Sequence, residues 1–196
     1  ELVPGDPAPE IALPDQDGNR STLAELRGKW VLVYFYPRDD TPGCTVEACG
    51  LRDAASQYAR AGIRVFGISA DSPKSHKKFA DKFQLPFALL ADEEKRVIRP
   101  FGSWGTKKFM GREFVVILRL SFLVDPRGKI AKIYPKVKPE GHAEEVLLDV
   151  GALKSGTAPV AAKAPSKTPA TKKVAKKAPT TARGAPRAAR DSKPKR

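Results

Sequence analysis

The chain has 196 residues, enough for one domain with a sizeable core plus an appendage, and carries 36 Lys and Arg against 22 Asp and Glu, a formal net charge of +14. That charge is uneven: residues 154–196 hold 13 of the bases and one acid, Asp191, for a net +12, which leaves residues 1–153 near neutral at +2. Two cysteines exclude a disulfide-rich scaffold, and no run approaches the ~18 uninterrupted apolar residues of a membrane-spanning helix, so no membrane partner is expected.

The N-terminal ELVPGDPAPE is Pro-rich and reads as extended. It lacks a charged-then-apolar secretion signal, although a start at Glu1 rather than Met leaves an upstream segment open. A short strand is expected over 11–13, a turn over 15–18 (DQDG), and a strand or helical turn over 21–26. Residues 31–36 (VLVYFY) form a continuous apolar run, the pattern of a strand buried on both faces. Thr41-Pro42-Gly43 then starts a helix, with Thr41 at the N-cap and Pro42 at the first helical position, and Gly62 closes it. A second buried strand follows over 63–69 (IRVFGIS), parallel to the first by the strand–helix–strand pattern.

Ser72-Pro73 opens another helix running to Phe83, with Phe79 and Phe83 on one face. A strand over 87–90, a short helix over 93–101 and a loop over 102–111 carrying Trp104 come next. Residues 114–124 and 129–134 read as a hairpin around Asp125-Pro126-Arg127-Gly128, and 140–153 as the last helix. His76 and His142 are expected at the surface, and nothing in their spacing suggests a metal site or bound cofactor. Parallel pairing first and an antiparallel hairpin later suit an α/β, thioredoxin-like fold of three layers. From residue 154 onward Ala, Pro, Lys, Thr and Ser dominate without an aromatic residue, so disorder is expected there. The chain thus divides into a domain over 1–153 and a basic tail over 154–196.

Residues 36–53 (YPRDDTPGCTVEACGLRD) hold both cysteines. Cys44 falls three residues after the helix cap, where unpaired N–H groups and the helix dipole favour an anion; a thiol there is expected to ionise more readily, and the thiolate is the nucleophile. Cys44, Ala48, Leu51, Ala55 and Tyr58 make an apolar stripe, and Cys49 lies roughly 140° around the axis from Cys44. Five helical residues put the two Cα atoms roughly 8–9 Å apart, beyond the ~7 Å that a disulfide tolerates. The pair can bond only if the helix unwinds, which describes a redox switch rather than a static bridge.

Pro37-x3-Thr41-x2-Cys44 resembles the PxxxTxxC signature of the peroxiredoxins, and TPGCTVEACGLRD resembles their PrxQ subfamily, also called bacterioferritin comigratory protein. Further similar segments occur in the family's order at 67–71 (GISAD), 87–92 (FALLAD), 101–105 (FGSWG) and 119–125 (RLSFLVD), spanning about residues 1–153. The resemblance implies a peroxiredoxin-type thioredoxin fold. It also implies thiol-dependent reduction of hydrogen peroxide and organic hydroperoxides, with antioxidant defence as the role and no cofactor. Cys44 would be the peroxidatic cysteine, forming a sulfenic acid. Cys49 would resolve it as an intramolecular disulfide, in the atypical 2-Cys manner, with thioredoxin or a similar dithiol as reductant. Thr41 would set its hydroxyl beside the sulfur and the peroxide, with plain N-capping as the alternative. Pro37 would shield the pocket, and Gly43 would let the backbone come close to the substrate. Arg119, a lone cation in an apolar strand, occupies the position of the family's active-site Arg and would face the thiolate; an ordinary salt bridge to Glu47 or Asp53 is the alternative. Glu47, one turn after Cys44, either orients Arg119 or is solvated.

A competing reading is a thioredoxin-like protein disulfide oxidoreductase, which the C-x4-C spacing disfavours because that chemistry usually rests on C-x-x-C. The tail suggests non-specific nucleic-acid binding through counterion release, with a solubilising extension as the alternative. Its KKVAKK patch at 172–177 resembles linker-histone tails in composition only. A cytoplasmic monomer is expected, with a nucleoid or nuclear setting open because of the tail.

Overall fold

The computed structural model describes residues 1–156; the expected disordered tail lies outside the described residues from 157 onward. At its centre is strand β3 (Trp30–Phe35). Leu32, Tyr34 and the following Tyr36 belong to one core cluster, while Val31, Val33 and Phe35 belong to another. This alternation puts successive side chains on opposite faces of the sheet. A strand covered on both faces needs continuous apolar sequence, and VLVYFY supplies it. On one side β4 (Ile63–Ser69) and β5 (Ala88–Ala91) add in parallel, and on the other β8 (Leu120–Val124) and β9 (Ile130–Tyr134) add antiparallel. The resulting order is β5-β4-β3-β8-β9. Tyr34 pairs with Gly67 across β3 and β4, where an added Cβ would meet the phenol oxygen at 2.6 Å. The glycine in IRVFGIS makes room for that ring.

The helices are α1 (Pro42–Asp53), α2 (Ala55–Ala61), α3 (Pro73–Phe83) and α4 (His142–Ser155). The crossovers β3–β4 and β4–β5 step across the sheet in the same direction, so the right-handed rule places α1, α2 and α3 on one face. Their buried residues accordingly share one cluster: Cys44, Ala48, Leu51 and Tyr58 with Phe79 and, from α4, Val146 and Val150. The other face is covered by the hairpin β1 (Ala12–Pro14) and β2 (Arg20–Thr22), a 3-10 turn at Ala24–Leu26, and Val97, Ile98 and Phe101. This is the three-layer α/β arrangement that the element order implied. Among the described residues no helix is long and apolar enough to cross a membrane.

Five local expectations are corrected. The helix expected to run unbroken to Gly62 is divided at Ala54 (φ −85°, ψ 0°), and Ala54 is buried where the stripe called for Ala55. The helix expected over 93–101 is a run of turns, because the Asp92 carboxylate takes the N–H groups of Arg96, Val97 and Ile98 and Lys95 sits at φ 59°. The expected loop over 102–111 is mostly strand, and the single strand over 114–124 is two. β6 (Trp104–Phe109) and β7 (Arg112–Ile117) pair as a separate hairpin. Its two-residue turn, Met110-Gly111, takes positive φ at both positions, the geometry that suits a tight hairpin. The Leu118 N–H donates to the Ser103 carbonyl at 2.7 Å, and Ser103 Oγ donates to the Leu118 carbonyl at 2.7 Å. This clasp releases the chain from one sheet before it enters the other, and Arg119 lies at the crossover. Finally, α4 runs to Ser155, two residues past the expected domain end, and closes at Gly156 with φ 71°.

Candidate active site around Cys44

The chain leaves β3 and enters α1 through residues 37–41. Thr41 is extended (φ −96°, ψ 152°) at the N-cap and Pro42 is first in the helix. Pro42 has no N–H to lose there and its fixed φ suits the first turn. The threonine side chain does not cap the helix; Oγ1 donates to the Arg38 carbonyl at 3.1 Å. A hydroxyl whose proton is already committed presents its lone pairs to any further partner. Cys44 follows in the first turn, 1% exposed and unbonded to Cys49.

Arg119, from the crossover between β7 and β8, reaches this turn from the strand next to β3. Its Nη2 donates to Cys44 Sγ at 3.2 Å, and its Nη1 pairs with Glu47 Oε2. The guanidinium thus touches both the Cys44 sulfur and Glu47. Gly43 explains how the cation fits: a Cβ at that position would stand 3.2 Å from Nη2 and 4.0 Å from Pro139. The site has room for a guanidinium because residue 43 has no side chain.

Glu47 is not solvated. It is 1% exposed, and Oε1 has no hydrogen-bond partner among the described residues. Burial pushes its carboxyl up to about 7 against the pull of Arg119. Burial works against the Arg119 charge too, but Glu47 and the Cys44 sulfur outweigh it and keep the guanidinium protonated. The arrangement is a half-buried cation shared between a buried carboxyl and a buried sulfur.

The other proposed site residues are placed less directly. Cys49, partly exposed, lies one and a half turns along the unbroken α1 from Cys44. Pro37 is exposed on the loop.

Both histidines are buried, at 0% and 1% exposure, contrary to expectation. His76 lies on the apolar stripe of α3 with Phe79, Ala80 and Phe83, a spacing visible in the sequence. Its Nδ1 is 2.9 Å from Asp39 Oδ2. Asp39 also receives Tyr36 Oη at 2.7 Å and Ser75 Oγ at 2.7 Å. Burial raises the Asp39 carboxyl, yet the hydrogen bonds and charge of His76, with Ser75 and Tyr36, hold it below its ordinary value. His142, on the α4 stripe with Val146 and Val150, places Nε2 3.0 Å from Ser121 Oγ. Burial depresses its basicity despite Glu145, and the contact ties α4 to the strand two residues beyond Arg119.

Residues 4–133 match the AhpC/TSA family. The chain is 49% identical over 146 residues to peroxiredoxin Bcp of Escherichia coli K12, covering 74% of this chain and 94% of that protein. Among solved structures it resembles peroxiredoxin Q of Xanthomonas campestris, with TM-score 0.69 and 35% identity over 72% of this chain and 90% of that one. It also resembles a cysteine-to-serine mutant of PrxQ from Xylella fastidiosa, with TM-score 0.74 and 30% identity over 79% and 98%. The bacterioferritin comigratory protein of X. campestris, 34% identical with TM-score 0.69 over 73% of this chain and 91% of that one, is described with alkyl peroxide reduction activity.

Proposed function

The chain belongs to the AhpC/TSA family and within it to the Bcp/PrxQ peroxiredoxins, thiol peroxidases of thioredoxin-like fold, and on that premise we propose how its residues divide the work. Cys44 is the peroxidatic cysteine. Its thiolate attacks the terminal peroxide oxygen, the O–O bond breaks, and the alkoxide or hydroxide that leaves takes up a proton as alcohol or water. Sulfur is oxidised by two electrons to the sulfenic acid. The observation that carries this assignment is the Arg119 guanidinium 3.2 Å from Sγ in the first helical turn. A fixed cation at the reacting sulfur serves both the thiolate and the charge that develops on the departing oxygen. Thr41, its proton committed to Arg38, accepts the peroxide O–H; Gly43 keeps space for Arg119; Pro37 fixes the entry loop.

Cys49 resolves the sulfenic acid. Its sulfur displaces hydroxide from Cys44, water is released, and the intramolecular disulfide forms after α1 unwinds. A dithiol reductant, thioredoxin or a protein like it, returns both thiols. Hydrogen peroxide and alkyl hydroperoxides are the substrates, and the setting is a cytoplasmic monomer. The C-x4-C spacing within one helix disfavours a protein disulfide oxidoreductase. Residues 154–196 add a basic segment for non-specific nucleic-acid binding; DNA retardation by the full chain, absent from a chain ending at Leu153, is the expected result.

The test follows peroxide consumption with thioredoxin, its reductase and NADPH. The parent chain turns over, Cys44→Ser does not, and Cys49→Ser forms a sulfenic acid but stalls without an external thiol. Full turnover by Cys44→Ser, or insulin reduction without peroxide consumption by the parent, would overturn the assignment.

A further inference from the structure

We propose that Asp39 and His76 form a positioning latch that holds the loop over 37–41, and with it the first turn of α1, in the arrangement that receives peroxide. The inference rests on the Cys44 peroxidase reading and adds to it a residue pair outside the Arg119 cluster.

The loop must satisfy two demands. It presents Thr41 and Cys44 in fixed geometry during peroxide attack, then tolerates the unwinding of α1 that brings Cys49 to Cys44. The structure grips it from α3. Asp39 is buried and its carboxylate accepts from Tyr36 Oη and Ser75 Oγ, each at 2.7 Å, and faces His76 Nδ1 at 2.9 Å. The Asp39 backbone N–H donates to Asp71 Oδ2 at 2.9 Å, and Ser69 Oγ donates to the same oxygen at 2.7 Å. One residue on, Asp40 sits at φ 53° and its carboxylate pairs with Lys82 Nζ at 2.7 Å. A non-glycine residue at positive φ is a strained link that its surroundings must hold in place. The exposed Lys82 pair is a weak restraint, which leaves the buried Asp39 cluster as the strong one.

His76 is more than core filling. Its Nε2 is buried with no partner among the described residues, and a buried polar atom left unpaired is costly. An apolar side chain on this stripe would avoid that cost, and what His76 supplies in exchange is the Nδ1 contact to Asp39. The clamp also has a far boundary. Helices α1 and α2 meet at Ala54 (φ −85°, ψ 0°), and the stretch between the latched loop and that joint, which contains both cysteines, is the part that must unwind. When the latch lets go, the equilibrium moves from the peroxide-receiving form towards the form in which the Cys44 sulfenic acid and the Cys49 thiol condense to a disulfide and water.

The experiment uses the full-length reduced chain. Sulfenic acid formation is timed in stopped flow with hydrogen peroxide in a Cys49→Ser background, and disulfide closure is timed with both cysteines present. His76→Leu should slow the first step about tenfold, as expected for a misplaced loop next to the reacting atoms, and should speed the second. His76→Asn, whose amide nitrogen can stand where Nδ1 does, should bring both rates back to within about twofold of the parent. Ile98→Ala, cut into the core on the opposite face, serves as the stability control. The latch is refuted if His76→Leu shifts the two rates no more than Ile98→Ala does, or if His76→Asn fares no better than His76→Leu. Should His76→Leu fail to fold, Ser75→Ala removes one donor alone: a smaller shift of both rates in the same opposed sense supports the latch, and unchanged rates refute it. A parent chain that does not form sulfenic acid at all would instead sink the peroxidase reading.

Discussion

Two buried carboxyl groups flank the helix start, and they are treated in opposite ways. Asp39 takes three side-chain donors and is held below its ordinary value near 3.8. Among the described residues Glu47 has one partner, Arg119, and an orphan oxygen, and burial pushes it up to about 7. A saturated carboxylate costs little further and makes a firm anchor. An under-satisfied one, which among the described residues shares Arg119 with the Cys44 sulfur, is poised between charge states. The structure spends its hydrogen bonds on the anchor and leaves the carboxyl beside the chemistry short of them.

The most drastic way to break the contrast is to remove the shared cation. Arg119→Leu should slow sulfenic acid formation by about 10²-fold or more, the scale seen when one preorganised charge-stabilising donor is lost. Loss of less than a few-fold in stopped flow would show that the sulfur does not depend on the guanidinium. Next in size is a pH signature of opposite sign at the two carboxyls. Glu47 is raised in the folded state, so between its ordinary 4.5 and about 7 the native chain binds more protons than the unfolded one. Stability then falls as pH rises through that window, by something of order 3 kcal/mol. Asp39 is depressed, so its contribution is present above about 3.8 and is lost as pH falls through its lower folded value. Urea midpoints of the reduced protein should show both limbs. In Glu47→Gln the decline between pH 4.5 and 7 should vanish while the acid limb remains; a decline that persists would place its origin elsewhere. The finest probe is Gly43→Ala. Its Cβ would press on Nη2 at 3.2 Å, and a guanidinium shifted by a few tenths of an ångström should slow peroxide attack about fivefold. An unchanged rate constant would mean that Arg119 has slack.

What was legible in the sequence was whatever depends on neighbours along the chain. The buried strand, the Thr41-Pro42 helix start and the Ser72-Pro73 start are local patterns, and Ser72 does accept from the Ser75 N–H at 3.3 Å. Cys44 at the buried end of an apolar stripe follows from helical periodicity alone. The hairpin over 104–117 was missed because its turn is Met110-Gly111 rather than an Asn-Gly or Asp-Gly pair. The burial of His76 and His142 could have been found, since both fall on apolar stripes, but a histidine is amphipathic and the stripe does not say what its ring nitrogens meet.

The primary structure by itself determined the helix that carries both thiols and the spacing that keeps them apart, because backbone propensity and a repeat of 3.6 residues act over a few positions. Tertiary structure alone decided which charges meet. Arg119 lies 75 residues from Cys44 and 72 from Glu47, and Asp39 lies 37 from His76. Contacts at such separations depend on strand order and on the space that Gly43 leaves open. Whether Glu47 is solvated or forced towards neutrality is a matter of how much water the fold excludes, and no local pattern carries that information.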